Sequence, residues 1–258
     1  MPILTPDRFR GLARSSPWRW RALELDLHRR PLHGPAHTLT AAVERGVGVD
    51  VRLADGERHT QPAHRSSVAW IGSGSDRQRT SELPFAWELP VEVDADGFVV
   101  RRPPFPGTSD DPMWQDYQFV AMLDPVELAD GFPRLPAPGW GPDDARPPAL
   151  DLHHLEASPR QGRETWWAEV SPREDYAPRC ECCPLLFGEV SEAPEAAAGG
   201  RTVHGRSPAA VHTSRYLVAL DLATGVCVHV EHLDGEHVGR GFSVRIRSVI
   251  GSRGSATR

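Results

Sequence analysis

Lysine and asparagine are absent from these 258 residues, and isoleucine occurs four times. All 29 basic side chains are therefore arginine. A GC-rich genome depletes Lys, Asn and Ile and inflates Arg, Ala, Gly and Pro, so the bias reads as codon usage of an actinobacterial kind before it reads as chemistry. It also means that an arginine carries less functional information here than usual. No window reaches the roughly 18 apolar residues of a membrane-spanning helix. The opening MPILTPDRFRGLARSSPWRW has no apolar run of about 7–15 residues behind a positive start, which a secretory leader needs. The expectation is a cytoplasmic protein with reduced thiols and no transmembrane segment. His-Glu-x-x-His, Gly-x-Gly-x-x-Gly and the phosphate loop are missing. Gly72-Ser73-Gly74-Ser75 comes near a nucleophile elbow, but Asp76-Arg77-Gln78-Arg79 does not continue as the helix such an elbow requires. A loop is the reading there. Without a catalytic constellation, the chain leans away from an enzyme. Its 29 basic and 35 acidic side chains leave a net charge of −6, with no electrostatic reason to seek nucleic acid or an anionic membrane.

What is present describes a globule. Apolar residues make up 39% and charged residues 25%, enough for a single large domain that needs no disulfide staples. Thr5-Pro6-Asp7 reads as a helix start, with Ser16-Pro17 as its stop. Leu23, Leu25 and Leu27 alternate with polar residues, as do Val47, Val49, Val51 and Leu53. Period two marks half-buried strands. Further strands are expected at Thr38–Val43, Val68–Ile71 and on both sides of Asp94-Ala95-Asp96-Gly97. A helix is expected over 112–123, started by Asp110-Asp111-Pro112. A second short one runs from Asp124-Pro125 to Ala129 and is closed by Gly131. Strands return at Leu150–Leu155 and Glu164–Val170. They end in a meander through Arg215–Asp221, Val226–His232 and Phe242–Val249. In that meander Val226, Val228 and Val230 are expected on one face and Cys227, His229 and Glu231 on the other. Tight turns make antiparallel neighbours, so the fold class is α+β, a large antiparallel sheet with helices on one face. The domain is expected to span 1–250, with flexible excursions at about 132–148 and 189–208 and a disordered tail at 251–258.

Gly162-Arg163-Glu164 leading into Trp166-Trp167, followed by the hairpin YLVALDLATGVCVHVEHLDG at Tyr216–Gly235, resembles the LolA-like fold of lipoprotein carriers and RseB-type regulators. The phrase DDPMWQDYQFVAMLDPVELADG at 110–131 is similar to uncharacterised actinobacterial proteins. The resemblance covers mainly residues 150–250. It implies a curved, unclosed half-barrel of antiparallel strands with helices packed on its concave face. It also implies a non-enzymatic module that binds a lipid or other hydrophobic ligand, or a protein partner, in that concavity.

Two groups of residues carry chemistry. Cys180-Glu181-Cys182-Cys183-Pro184 places three of the four cysteines within four positions. Thiolates are soft ligands for zinc, copper(I) or an iron–sulfur cluster. A closed zinc site needs a fourth ligand, from a distant His, Asp or Glu or from Cys227. Cys180 and Cys183 also form a Cys-x-x-Cys of redox type, and the same sequence is compatible with a tight loop of inert packed thiols. Cys227, alternating with valines, reads first as a small core residue. The aromatics are the second group. Trp114, Tyr117, Trp166 and Trp167 line an apolar pocket if the sheet is curved around its helices, or fill the core themselves. His153-His154 are adjacent and on a regular strand point to opposite faces, so they chelate together only across a bulge.

Overall fold

The structure, a computed structural model, describes residues 3–63, 69–71, 78–80, 85–102, 113–131, 148–180, 182–191 and 211–251. The expected excursions at 132–148 and 189–208, the Gly72–Ser75 segment, the pair Asp110-Asp111 and the tail lie wholly or mostly outside these residues. No described helix is long and apolar enough to cross a membrane.

The first helix, α1 (Pro6–Arg19), starts as its sequence dictates. Thr5 caps it, its hydroxyl accepting the Arg8 N–H at 3.3 Å, with Pro6 in the first turn. It does not stop at Ser16-Pro17. Pro17 has no N–H to donate, yet tertiary bonds hold the last turn in place of the missing one. Ser15 donates to the Gly11 carbonyl at 2.6 Å and accepts the Val99 N–H at 2.7 Å. Ser16 donates to the Leu123 carbonyl at 2.6 Å and accepts the Trp20 indole N–H at 3.0 Å. The Arg14 carbonyl accepts the Arg102 guanidinium at 2.7 Å.

Strands β1 (Trp20–Arg30), β2 (His37–Glu44), β3 (Gly48–Leu53) and β4 (Arg58–Pro62) follow as a meander. Two short ladders come next: β5 (Ala69–Ile71) with β6 (Gln78–Thr80), and β7 (Glu92–Val93) with β8 (Val99–Arg101). Helix α2 (Tyr117–Leu123) is shorter than the expected 112–123. Its cap is Asp116, whose carboxylate accepts the Phe119 N–H. Gln115 just before it has φ +64, which no helix accommodates. A 3-10 turn over Val126–Leu128 follows, as Asp124-Pro125 suggested. The chain closes with β9 (Leu150–Ala157), β10 (Thr165–Pro172), β11 (Tyr216–Asp221), β12 (Cys227–His232) and β13 (Gly241–Gly251).

Nine of these strands form one antiparallel sheet, in the order β4-β3-β2-β1-β13-β12-β11-β10-β9. The sheet is unclosed. Its two meanders meet where β1 pairs with β13, from Trp20 opposite Gly251 to Arg30 opposite Gly241. Alternation then sets the core. Leu23, Leu25 and Leu27 of β1 join Leu39, Ala41 and Val43 of β2 in one buried cluster, together with Phe242, Val244 and Ile246 of β13 and Val218 and Leu220 of β11. Phe9, Leu12 and Ala13 of α1 and Phe119, Met122 and Leu123 of α2 belong to the same cluster. Burying one such side chain contributes roughly 1.5–3 kcal/mol.

The face assignment in β12 departs from strict alternation. A bulge between Ala219 and Leu220 sets Leu220 opposite Cys227, while Ala219 stays opposite His229. Two residues then share one partner. Cys227, read from the sequence as a small core residue, is indeed fully buried in the core cluster, but together with Val226 and Val228 rather than on the opposite face, and inward alternation continues through Val230 and His232. A second irregularity lies between Trp167 and Glu169 of β10 opposite β9, where His154 has φ +44. This is the bulge at which adjacent histidines escape alternation, and both His153 and His154 are exposed.

Gly241 shows how closely two strands approach. Its φ is +129, and a Cβ there would lie 2.0 Å from the Val230 carbonyl oxygen. Gly241→Ala is expected to lower the unfolding free energy by about 3 kcal/mol, from combined strain and strand displacement. Urea denaturation with an unchanged m-value measures it.

Candidate metal centre

The loop after β10 carries the cysteines, and its position follows from a buried polar network. Tyr176 is 3% exposed, and its hydroxyl donates to Glu127 Oε2 at 3.2 Å and accepts the Leu186 N–H at 3.2 Å. The Arg179 N–H donates to the same Glu127 oxygen at 3.2 Å. The Arg179 guanidinium reaches the Asp124 carboxylate at 2.8 Å and the Asp124 carbonyl at 3.3 Å. Arg102 holds the other side of Asp124 in a two-pronged ion pair. Gln118 of α2 donates to the Pro184 carbonyl at 3.2 Å. Leu185, Leu186 and Phe187 sink into the interior beyond it. The segment from 179 to 186 is thus fixed at both ends through one carboxylate, Glu127, while its middle faces outward.

In that middle, Cys180 Sγ and Cys182 Sγ are 2.9 Å apart, and Cys182 Sγ is 3.7 Å from Cys183 Sγ. All three sulfurs lie within 4.8 Å of one another. Cys182 is exposed and its two neighbours are half-buried. All four cysteines of the chain are free thiols. Burial, and then the hydrogen bond from Cys180, push the Cys182 and Cys183 thiols up from their ordinary range. Among the described residues no fourth Cys, His, Asp or Glu joins the three. Cys227 is not that ligand. It sits in the sheet core, hydrogen-bonded to the His229 carbonyl at 3.4 Å, and burial pushes its thiol up to about 12. Three sulfurs at this separation offer a trigonal donor set, with an open side toward solvent for any fourth ligand.

The four aromatic candidates occupy different surroundings. Trp166 is fully buried, its ring centroid 5.5 Å from that of Phe98. Trp167, next along β10, turns to the other face. There it meets His229 at 5.4 Å and donates to the Ser158 carbonyl at 3.1 Å. Trp114 packs 4.8 Å from His59. Tyr117 is 37% exposed at the start of α2, where its backbone is hydrogen-bonded to the Cys183 sulfur. Only Tyr117 of the four adjoins the thiols.

Sequence reasoning missed the Asp124–Glu127–Tyr176–Arg179 network. Asp124-Pro125 signalled a helix start, and nothing in the spacing tied it to residues some fifty positions later. The only available signal was Glu127 itself, a carboxylate inside the otherwise apolar run Val126–Ala129.

No protein-family model, curated protein or solved structure matches this chain.

The network makes a pH prediction. Burial pushes Glu127 from 4.5 up to about 7, against the pull of Arg179. Burial also acts to raise Asp124, but Arg102 and Arg179 outweigh it and hold the carboxylate at about 2. A raised carboxylic pKa means that the folded state holds a proton the unfolded chain has released. Stability from Glu127 is therefore full below pH 4.5 and falls as pH rises toward 7. Asp124 acts in the opposite sense, its contribution present above 3.8 and lost as pH falls toward 2. Glu127→Gln keeps an acceptor for Arg179 and Tyr176 and removes the ionisation. The variant should be more stable than the parent at pH 8 by about 3 kcal/mol, with the difference vanishing near pH 4.5. Denaturant midpoints across that range check it.

Proposed function

We propose that this chain is a non-enzymatic metal-binding protein whose centre is Cys180, Cys182 and Cys183. The observation that carries the reading is the convergence of the three sulfurs within 4.8 Å on a loop anchored at both ends by Glu127. Thiolates select thiophilic ions, and a three-sulfur set suits copper(I), which accepts low coordination, better than a closed zinc site of four ligands. Zinc is the alternative occupant, with its fourth position filled by water or by a ligand from a partner. Either ion requires reduced thiols, which fits the expected cytoplasmic setting. Anaerobic titration with copper(I) against a chromophoric competitor is expected to give one equivalent bound per chain. Cys182→Ser should weaken it by about a hundredfold or more, as loss of one of three thiolate donors implies. Cys227→Ser should leave it unchanged. Uptake insensitive to Cys182→Ser would refute the centre.

A second reading follows from the LolA-like resemblance. In support of it, the nine-stranded sheet is antiparallel and unclosed, and α1 and α2 pack against β1, β11 and β12. In that reading the helices occupy a concave face, and a lipid, another hydrophobic molecule or a protein partner enters beside Trp114 and the exposed Tyr117. The complete burial of Trp166 against Phe98 weighs against a deep pocket. Native mass spectrometry of freshly purified protein separates the two: a retained lipid mass supports the second reading, and a metal increment the first.

A further inference from the structure

The β9–β10 hairpin ends in the turn Arg160-Gln161-Gly162-Arg163. Arg160 and Arg163 exchange backbone hydrogen bonds of 2.8 and 3.0 Å across it. Both central residues are left-handed, Gln161 at φ +51 and Gly162 at φ +79. Glycine takes that conformation freely, whereas glutamine is strained in it, and such strain concentrates at binding sites. The turn leans across the sheet to β13. There β12 has stopped pairing, since its register with β13 covers only His229–Glu231 opposite Gly241–Ser243. Arg160 takes over, its guanidinium donating to the Val244 carbonyl at 2.5 Å. Between the hairpin tip and β13 lies a cleft of about 540 Å³ lined by Gln161, Arg163, Arg245, Ile246 and Arg247.

The charge of this cleft runs against that of the chain. Arg163 is neutralised by the buried Asp221, at 2.6 and 2.9 Å. Arg247 is paired with Asp26 at 2.8 Å. Arg160, beside the hairpin tip, donates to a carbonyl rather than to a carboxylate, and burial lowers its pKa. Arg245 is exposed, with no hydrogen bond or ion pair to any described residue. Three guanidinium groups thus line the cleft, two of them paired with carboxylates and Arg245 without one, in a protein of net −6. The Asp221 and Asp26 pairs fix the Arg163 and Arg247 side chains, so their remaining N–H groups are held in place before any ligand arrives. The volume is that of a small-molecule site rather than a macromolecular surface.

We propose that this cleft binds a small molecule through an oxyanion group, a phosphate or a carboxylate cluster, held by Arg163, Arg245 and Arg247 with Gln161 as a neutral donor. The site is independent of the cysteine centre. Isothermal calorimetry with inorganic phosphate and with citrate, as separate probes, tests it and shows which oxyanion is preferred. Saturable one-to-one binding is expected for at least one probe, weakening with added salt. Arg245→Ala should weaken it about tenfold or more, the loss of one charge-assisted hydrogen bond. Arg245 carries no structural pair, so this variant should keep the parent's melting temperature. Arg58→Ala, on the far edge strand and paired with Asp50, should leave binding unchanged. Absence of saturable heat with either probe, or binding that Arg245→Ala leaves intact, would overturn the proposal.

Discussion

The pairing of β1 with β13 is the constraint on which the rest depends. It joins the first strand of the chain to the last, and so fuses a meander of four strands to one of five. Without it each half would expose a long edge and leave its apolar face half covered. The pairing needs the whole chain to fold before it is satisfied, because loop closure over that separation must precede its reward. Its buried residues are mainly leucine, isoleucine, valine and phenylalanine, together with Trp20 and with Arg29, which is paired to Asp116. Outward-facing polar residues are cross-paired, Arg247 with Asp26 and Ser248 with Glu24. The first and last strands therefore lie at the centre of the sheet rather than at its margin.

Helix α1 packs against β1 of that seam and against β11. Phe9 and Leu12 are fully buried, and the serines of its last turn bond to β8 and α2 rather than to solvent. Arg14 is tied to Asp130 in a two-pronged ion pair of 2.5 and 2.6 Å, which holds α1 to the end of the Val126–Gly131 segment. From there Glu127 reaches the cysteine loop. A continuous path of packed and hydrogen-bonded groups thus runs from the seam through α1 and the 3-10 turn to the three thiols. Breaking one buried partner along it leaves the other unsatisfied, which costs more than the bond contributes.

Much of the sheet was legible because half-buried strands declare themselves by alternation. Leu23-x-Leu25-x-Leu27 and Val49-x-Val51 need no context, and Asp94-Ala95-Asp96-Gly97 and Leu222-Ala223-Thr224-Gly225 mark turns by their chemistry. What failed to show was decided by tertiary contacts. Pro17 reads as a helix stop because its missing N–H is local, while two of the bonds that hold the turn, Val99 to Ser15 and Ser16 to Leu123, involve residues far along the chain. The start of α2 moved to Asp116 for a similar reason: several acids compete as caps, and tertiary packing chooses among them. The bulge opposite Leu220 is invisible in a valine-rich alternation, so strict period two separates Cys227 from the valines, although its character as a small core residue was legible. The cysteine cluster was visible as composition, but its convergence was not, because adjacent thiols diverge or converge according to backbone bends that Glu127, Tyr176 and Arg179 impose.

The central claim is that these bends present three sulfurs to one ion. X-ray absorption at the copper edge of the copper(I)-loaded protein counts those donors directly. The account predicts a first shell of three sulfur scatterers and no nitrogen or oxygen, reduced by one sulfur in Cys182→Ser. A first shell of nitrogen or oxygen donors, or one that Cys182→Ser leaves untouched, would contradict it.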